Sequence, residues 1–165
     1  MDITFQKLLS LGLDLERVGL MQREDNESYF CTPRDAFLLG WAGVDGIHYC
    51  QALGLDETVF VVDPMAGDDP VHPIARSVTD MLRLLLACGD MAALAQARAF
   101  HTEQSFGEFL TECRPDAETR EVLEAIGRGL GITPMPLPYK YLKELQDSFD
   151  MGAVPYTEEY YEVIG

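Results

Sequence analysis

The sequence is short of basic residues. Twelve lysines and arginines stand against 28 aspartates and glutamates, which leaves a formal net charge of −16, and no lysine occurs between Lys7 and Lys140. A surplus of this sign repels the phosphates of nucleic acids and anionic lipid head groups, so binding to either is disfavoured. The same surplus keeps a protein in solution and attracts a basic partner from a distance. Composition alone leaves both of these explanations open.

Long apolar runs and closely spaced cysteines are also missing. No stretch approaches the roughly 20 apolar residues of a membrane span, and acids occupy the N-terminal positions where a secretion signal requires bases. The four cysteines lie too far apart for a zinc ribbon or a redox CxxC pair; they are Cys31, Cys50, Cys88 and Cys113. We therefore expect reduced thiols, no membrane association and a cytoplasmic location.

Four apolar stretches separated by turn residues predict a small sheet. They cover residues 36–41, 47–53, 58–64 and 71–75, and the third is rich in β-branched residues. Short connections favour a mainly antiparallel sheet of three to five strands. Because Pro73 cannot donate a backbone hydrogen bond, the fourth stretch is predicted to be an edge strand.

Helical spacing accounts for most of the remaining chain. A short helix is predicted over 3–11, and helices alone are predicted after residue 77, including 140–150 and the C-terminal segment. Side chains that can cap a helix N-terminus occur at the right places: Ser77, Asp90, Thr102 and Asp116. Asp80 completes an approximate capping box with Ser77. We expect one α+β domain spanning 1–165, its sheet covered by helices, with an all-helical C-terminal extension from about residue 90.

A metal site is the first chemical hypothesis to consider. His48 and Cys50 lie two residues apart on one face of the second predicted strand. Cys31 or His72 could supply a third ligand, but the spacing does not require it. Packed thiols and hydrogen-bonded histidines explain these residues better, so no metal or cofactor is assigned.

The second chemical hypothesis is a nucleophilic Cys–His pair. It would need an orienting carboxylate behind His48, and only Asp45 and Asp63 lie near it in the sequence. Asp45 has a structural explanation, because the GVDG sequence formed with Gly43 and Gly46 is typical of a tight turn. No catalytic residue is therefore assigned, and a small hydrolase remains the least favoured function.

Two loops imitate ligand sites without matching them. The glycine-rich GWAGVDG segment lacks the GxxxxGK[ST] and GxGxxG patterns of phosphate-binding loops. The loop with Asp63, Asp68 and Asp69 lacks the alternating ligands and the closing glutamate of a calcium loop. Both are interpreted as ordinary turns.

The run from residue 36 to 90 resembles the SUKH superfamily of bacterial immunity and cell-wall-regulator-like proteins. The resemblance rests on the order of an apolar strand, a GxDG turn at 43–46, a second strand, VFVVDP at 59–64, an acidic loop, and S-x-x-D-x-L-x-x-L-L from Ser77. It implies an α+β fold without enzymatic activity that binds and neutralises a toxin domain, frequently a nuclease.

An acidic binding surface follows as the functional expectation. Acids steer a basic partner and tyrosines supply contact area; the predicted contact residues are Asp56, Glu57, Asp68, Asp69, Tyr160 and Tyr161. The tyrosines could equally dock back on their own domain. An immunity protein is the leading hypothesis, and a standalone regulatory or scaffold protein of the same fold that binds a cellular partner is the alternative. The sequence gives no indication of oligomeric state.

Overall fold

The sheet is a four-stranded antiparallel meander in which the strands lie in chain order. A computed structural model of the protein describes residues 2–25 and 27–164. The strands are β1 (Phe37–Trp41), β2 (His48–Gln51), β3 (Val59–Val62) and β4 (Val71–Ala75). The helices of the described residues are α1 (Ile3–Ser10), α2 (Val78–Cys88), α3 (Met91–Gln96), α4 (Glu103–Glu112), α5 (Ala117–Leu130), α6 (Pro138–Ser148) and α7 (Glu158–Ile164). The predicted α+β class and its C-terminal helices are confirmed. Among the described helices, none has the length and apolarity that crossing a membrane requires.

The turn between β1 and β2 forms as the sequence predicts. Gly43, Asp45 and Gly46 adopt left-handed backbone conformations with φ of 89°, 56° and 69°. Glycine enters this region without a steric penalty, and aspartate tolerates it better than most residues. The turn brings the Ile47 carbonyl within 2.9 Å of the Ala42 amide, which donates a hydrogen bond to it.

Both faces of the sheet are buried. One face, here called the helix face, carries Tyr49, Val61 and Ile74 into a core to which the helices α1 to α6 all contribute buried residues. The opposite face, here called the tail face, carries Cys50 and Phe60 into a second, smaller core. The predicted alternation along β2 is therefore correct, and each face needs its own cover.

Helix α2 is the main cover of the helix face, and its N-terminus shows one departure from the predicted capping box. The Ser77 hydroxyl accepts a hydrogen bond from the Asp80 amide at 3.0 Å, as expected. The Asp80 carboxylate, however, accepts a hydrogen bond from the Tyr141 hydroxyl at 2.6 Å. The same hydroxyl accepts from the Arg76 amide at 2.8 Å. Asp80 thus links α2 to α6.

The tail face is covered by the chain that follows α6. The helix predicted over 140–150 includes Phe149, but α6 ends at Ser148 and Phe149 is already extended. Its ring packs edge-on against Phe60 with centroids 5.3 Å apart. Val154, Tyr156 and Tyr160 continue this cover. Packing against the apolar tail face is the physical reason that Phe149 lies outside α6.

The two edges of the sheet differ. At the β4 edge, Pro73 lies within the strand as predicted, and α6 packs against β4. At the β1 edge, Trp41 forms a bridge with Met21, and the two backbone hydrogen bonds are both 2.8 Å long. The side-chain amide of Gln22 donates to the Leu39 carbonyl at 2.7 Å. The rest of the β1 edge borders a cleft.

Asp90, the N-cap residue of α3, lies close to Gly19, which is distant in the sequence. Asp90 accepts a hydrogen bond from the Ala92 amide at 2.7 Å, which confirms its predicted role. Gly19 lies so close that an added Cβ would be 2.8 Å from the Asp90 carboxylate. Burial raises the pKa of Asp90. Gly19 is therefore needed both for its φ of 79° and for its small size.

We expect Gly19→Ala to destabilise the protein more than Gly54→Ala. Gly54 has a similar φ of 84° but open space where its Cβ would be. Both variants should lose about 1 kcal/mol to the left-handed backbone, and Gly19→Ala should lose about 1 kcal/mol more because it displaces the α3 cap. Urea denaturation of the two variants measures the difference, and equal losses would show that the contact with Asp90 is unimportant.

Candidate binding surfaces

The imidazole of His48 is fully buried and both of its nitrogens are hydrogen-bonded. Nδ1 donates to the Gly46 carbonyl at 2.8 Å, since a carbonyl can only accept. In the neutral ring Nε2 is then an acceptor, and it receives the proton of the Thr32 hydroxyl at 2.9 Å. Thr32 in turn accepts from the Tyr29 amide at 2.8 Å. His48 therefore ties the loop before β1 to the sheet.

Two aromatic rings contact the same imidazole. The Tyr29 ring lies 5.7 Å from it, nearly parallel, and the Trp41 ring lies 4.8 Å from it. Burial lowers the pKa of His48 and so favours the neutral form. This arrangement gives the histidine a structural role.

The hypothesised catalytic and metal partners of His48 are not among its hydrogen-bond partners. Asp45 is exposed in the turn, and the Asp63 carboxylate accepts from the Met65 amide. Burial raises the pKa of the Cys31 thiol to about 11 and that of the Cys50 thiol to about 12. Both thiols stay protonated at neutral pH, which makes them weak nucleophiles and weak ligands. Among the described residues, no group of three or more histidines, cysteines and acids could hold a metal.

A cleft of about 580 Å³ lies beside β1. Its walls are the loop before β1, the strand itself, α1 and Thr157. Arg23 and Arg34 supply its positive charges, and the Arg23 guanidinium lies over the Trp41 ring, 4.4 Å from the ring centroid. We did not single out these residues from the sequence, because no motif joins them.

The predicted acidic residues belong to two different connections of the sheet. In an antiparallel meander, consecutive connections lie at opposite ends of the sheet. Asp56 and Glu57 belong to the β2–β3 connection, whereas Asp68 and Asp69 belong to the β3–β4 connection. All four are exposed. They are therefore separated by at least the length of β3, about 13 Å for four residues.

Of the predicted C-terminal tyrosines, Tyr160 packs on its own domain and Tyr161 is exposed. Tyr160 stacks on Tyr156 with ring centroids 3.8 Å apart, and both pack on the tail face. The side chain of Tyr161 is 60% exposed. Burial, together with the proximity of Tyr160 and Asp69, raises the pKa of Tyr156. The C-terminal segment thus docks on its own domain, next to the β3–β4 connection, and presents Tyr161 outward.

Comparison of the chain with protein-family models, with curated proteins and with solved structures finds no match. The resemblance to the SUKH superfamily therefore stays a prediction from the sequence.

Protein stability should fall in mild acid because of His48. Its folded pKa is below the unfolded value of 6.5, so its contribution is fully present above that pH and is lost as the pH falls through the folded pKa. We expect the unfolding free energy to decrease from about pH 7 to about pH 5, and His48→Asn to reduce this slope. Burial also lowers the pKa of His72, so part of the slope should remain until His72→Asn is added. Urea denaturation at a series of pH values measures how the unfolding free energy changes with pH. An unchanged slope in His48→Asn would contradict the contribution assigned to His48.

Proposed function

We propose that the protein is a non-enzymatic binding module that uses an acidic surface to hold a basic protein partner. The partner of the leading hypothesis is a toxin domain, possibly a nuclease, which the chain neutralises as an immunity protein. The observation that carries the binding role is the convergence of acidic segments at one end of the sheet. The immunity role rests in addition on the resemblance to the SUKH superfamily.

This end, here called the acidic end, combines the sheet connections with the C-terminal helix. The β1–β2 turn and the β3–β4 connection both lie there because alternate connections of a meander share an end. Tyr160 of helix α7 belongs to the same apolar cluster as Val62 and Val71, the residues that flank the β3–β4 connection. The exposed acidic and tyrosine residues of the acidic end are Asp45, Asp68, Asp69, Glu158, Glu159, Tyr161 and Glu162.

The acidic side chains of this surface make few contacts within the protein. Apart from Asp2, Asp63, Asp80 and Asp90, every acidic side chain of the described residues is exposed. Asp69 is exposed and lies 3.5 Å from the imidazole of His72, which is itself only 15% exposed. Exposed acids without strong internal partners keep their charge available for steering.

The chemistry of a nuclease fits this surface. A protein that holds phosphates is basic where it holds them, and an acidic inhibitor can occupy that region with fast, electrostatically steered association. Tyr161 adds an exposed aromatic ring, a residue type enriched at binding hot spots. Asp56 and Glu57 lie at the opposite end and are not part of this proposed surface.

Two matched pairs of substitutions test the location of the surface. Asp68→Asn with Asp69→Asn removes two charges at the acidic end, and Asp56→Asn with Glu57→Gln removes two at the opposite end. For a basic toxin domain encoded beside this gene, we expect the first pair to slow association about tenfold at low ionic strength and the second by less than about twofold. Stopped-flow mixing at several salt concentrations measures the rates.

Equal slowing by both pairs would place the effect in the overall charge and contradict the acidic end as the binding surface. Co-expression tests the immunity role separately, since the protein should protect cells from that toxin domain. If no basic toxin encoded nearby forms a complex and no protection is seen, the immunity role is wrong. A complex with a cellular protein instead would favour the regulatory alternative.

A further inference from the structure

A small pocket lies at the acidic end, between the sheet and α3. Its volume is about 200 Å³. One wall comes from the β1–β2 turn and the start of the β3–β4 connection, which supply Val44 and Asp63. The opposite wall comes from α3 and the short 3₁₀ helix Ala97–Ala99 that follows it. The pocket therefore adjoins the surface proposed for a basic partner.

The walls of the pocket are mainly apolar. Ala92, Ala95 and Ala99 follow one another at helical spacing, and their small side chains leave space in front of them. The helix face of the sheet adds Tyr49 and Val61, which are both buried. Small-molecule sites usually have volumes of about 300–1,000 Å³. A smaller pocket with these walls is better matched to a single apolar side chain of a partner protein.

The charged residues of the pocket give it no preference for either sign. Asp63 and Arg98 line it and carry one charge each. The Asp63 carboxylate already accepts a hydrogen bond from the Met65 amide at 3.0 Å. A charged occupant would gain little from these walls and would lose its hydration. The pocket itself therefore selects an uncharged, apolar side chain.

The surface around the pocket is negatively charged. Asp45 lies beside Val44 in the turn, and Asp68 and Asp69 lie in the β3–β4 connection; all three acids are exposed. Two apolar side chains accompany them, since Val44 is 58% exposed and Met65 is 74% exposed. Protein interfaces commonly combine an apolar centre with a polar rim. The complementary surface of a partner is then an apolar side chain surrounded by basic residues.

We propose that this pocket holds one apolar side chain, of about the size of leucine, that protrudes from a basic surface of the partner. The inference rests on the proposed function, because the pocket supplies the apolar contact within the acidic end. The acids accelerate association, and burial of the side chain slows dissociation. The pocket thereby adds a requirement for shape that charge alone does not provide.

Three fluorescent peptides test the inference on the full chain. The first has a central leucine flanked by lysines and serines. The second replaces the leucine by serine, and the third keeps the leucine but replaces every lysine by glutamate. We expect the first peptide to bind at least about fivefold more tightly than either of the others. Fluorescence anisotropy at low ionic strength measures the three dissociation constants.

Two pairs of substitutions test where the leucine binds. Ala95→Leu fills the pocket and should reduce the affinity for the leucine–lysine peptide to that for the serine–lysine peptide. Its matched control, Ala117→Leu, adds the same side chain to the exposed surface of α5. Val44→Ser should weaken binding of the leucine–lysine peptide at least about twofold. Its control, Leu53→Ser, changes a side chain that is 71% exposed at the opposite end of the sheet and should have no effect.

Equal affinities for the leucine–lysine and serine–lysine peptides would overturn the pocket as a binding site and leave the proposed acidic surface intact. Equal effects of Val44→Ser and Leu53→Ser would overturn it too, so the test does not depend on the folding of Ala95→Leu, which urea denaturation checks. Equal affinities for the glutamate–leucine and leucine–lysine peptides would instead contradict the selection of a basic partner, on which the proposed function depends.

Discussion

Both faces of the sheet carry apolar side chains, so each face has to be covered for the strands to form. The cost of leaving the tail face open can be estimated from Phe60, Val62 and Val71, all of which are fully buried there. Burying a side chain of this kind contributes about 1.5–3 kcal/mol. The three together approach the total stability of an ordinary domain, about 5–15 kcal/mol. The cover of the tail face is therefore indispensable.

This requirement determines where the C-terminal segment lies. Phe149 leaves α6 to meet Phe60, and Tyr156 and Tyr160 continue along the face. The next turn of chain, α7, then arrives beside the β3–β4 connection with its acids and Tyr161 facing outward. Covering the tail face thus brings segments that are distant in the sequence together at the acidic end. The Pro155 carbonyl also accepts a hydrogen bond from the Arg34 amide, so the same segment positions one wall of the β1 cleft.

The parts of the fold that depend on local chemistry could be predicted from the sequence. The third strand, β3, shows its β-branched composition, and Ser77, Asp90, Thr102 and Asp116 cap the expected helices because an N-cap needs only a side chain and the next turn of backbone. The separation of Asp56 from Asp68 could also have been derived, because a predicted meander already places consecutive connections at opposite ends. The sequence prediction nevertheless treated these residues as one surface.

Long-range contacts account for what could not be predicted. Tyr141 captures the Asp80 carboxylate across 61 positions, and Phe149 follows the tail face rather than the helical period. The β1 cleft depends on Arg23, Trp41 and the loop that His48 holds, and no sequence spacing joins them. Clefts of this kind become visible only when tertiary contacts are known.

Hydrogen exchange of the chain truncated after Ser148 tests most directly whether the C-terminal segment is the cover on which the sheet and the acidic end depend. Without residues 149–165 the tail face is open, so the amides of β2 and β3 should exchange at least about tenfold faster than in the full chain. Protection of these strands equal to that of the full chain would contradict the account.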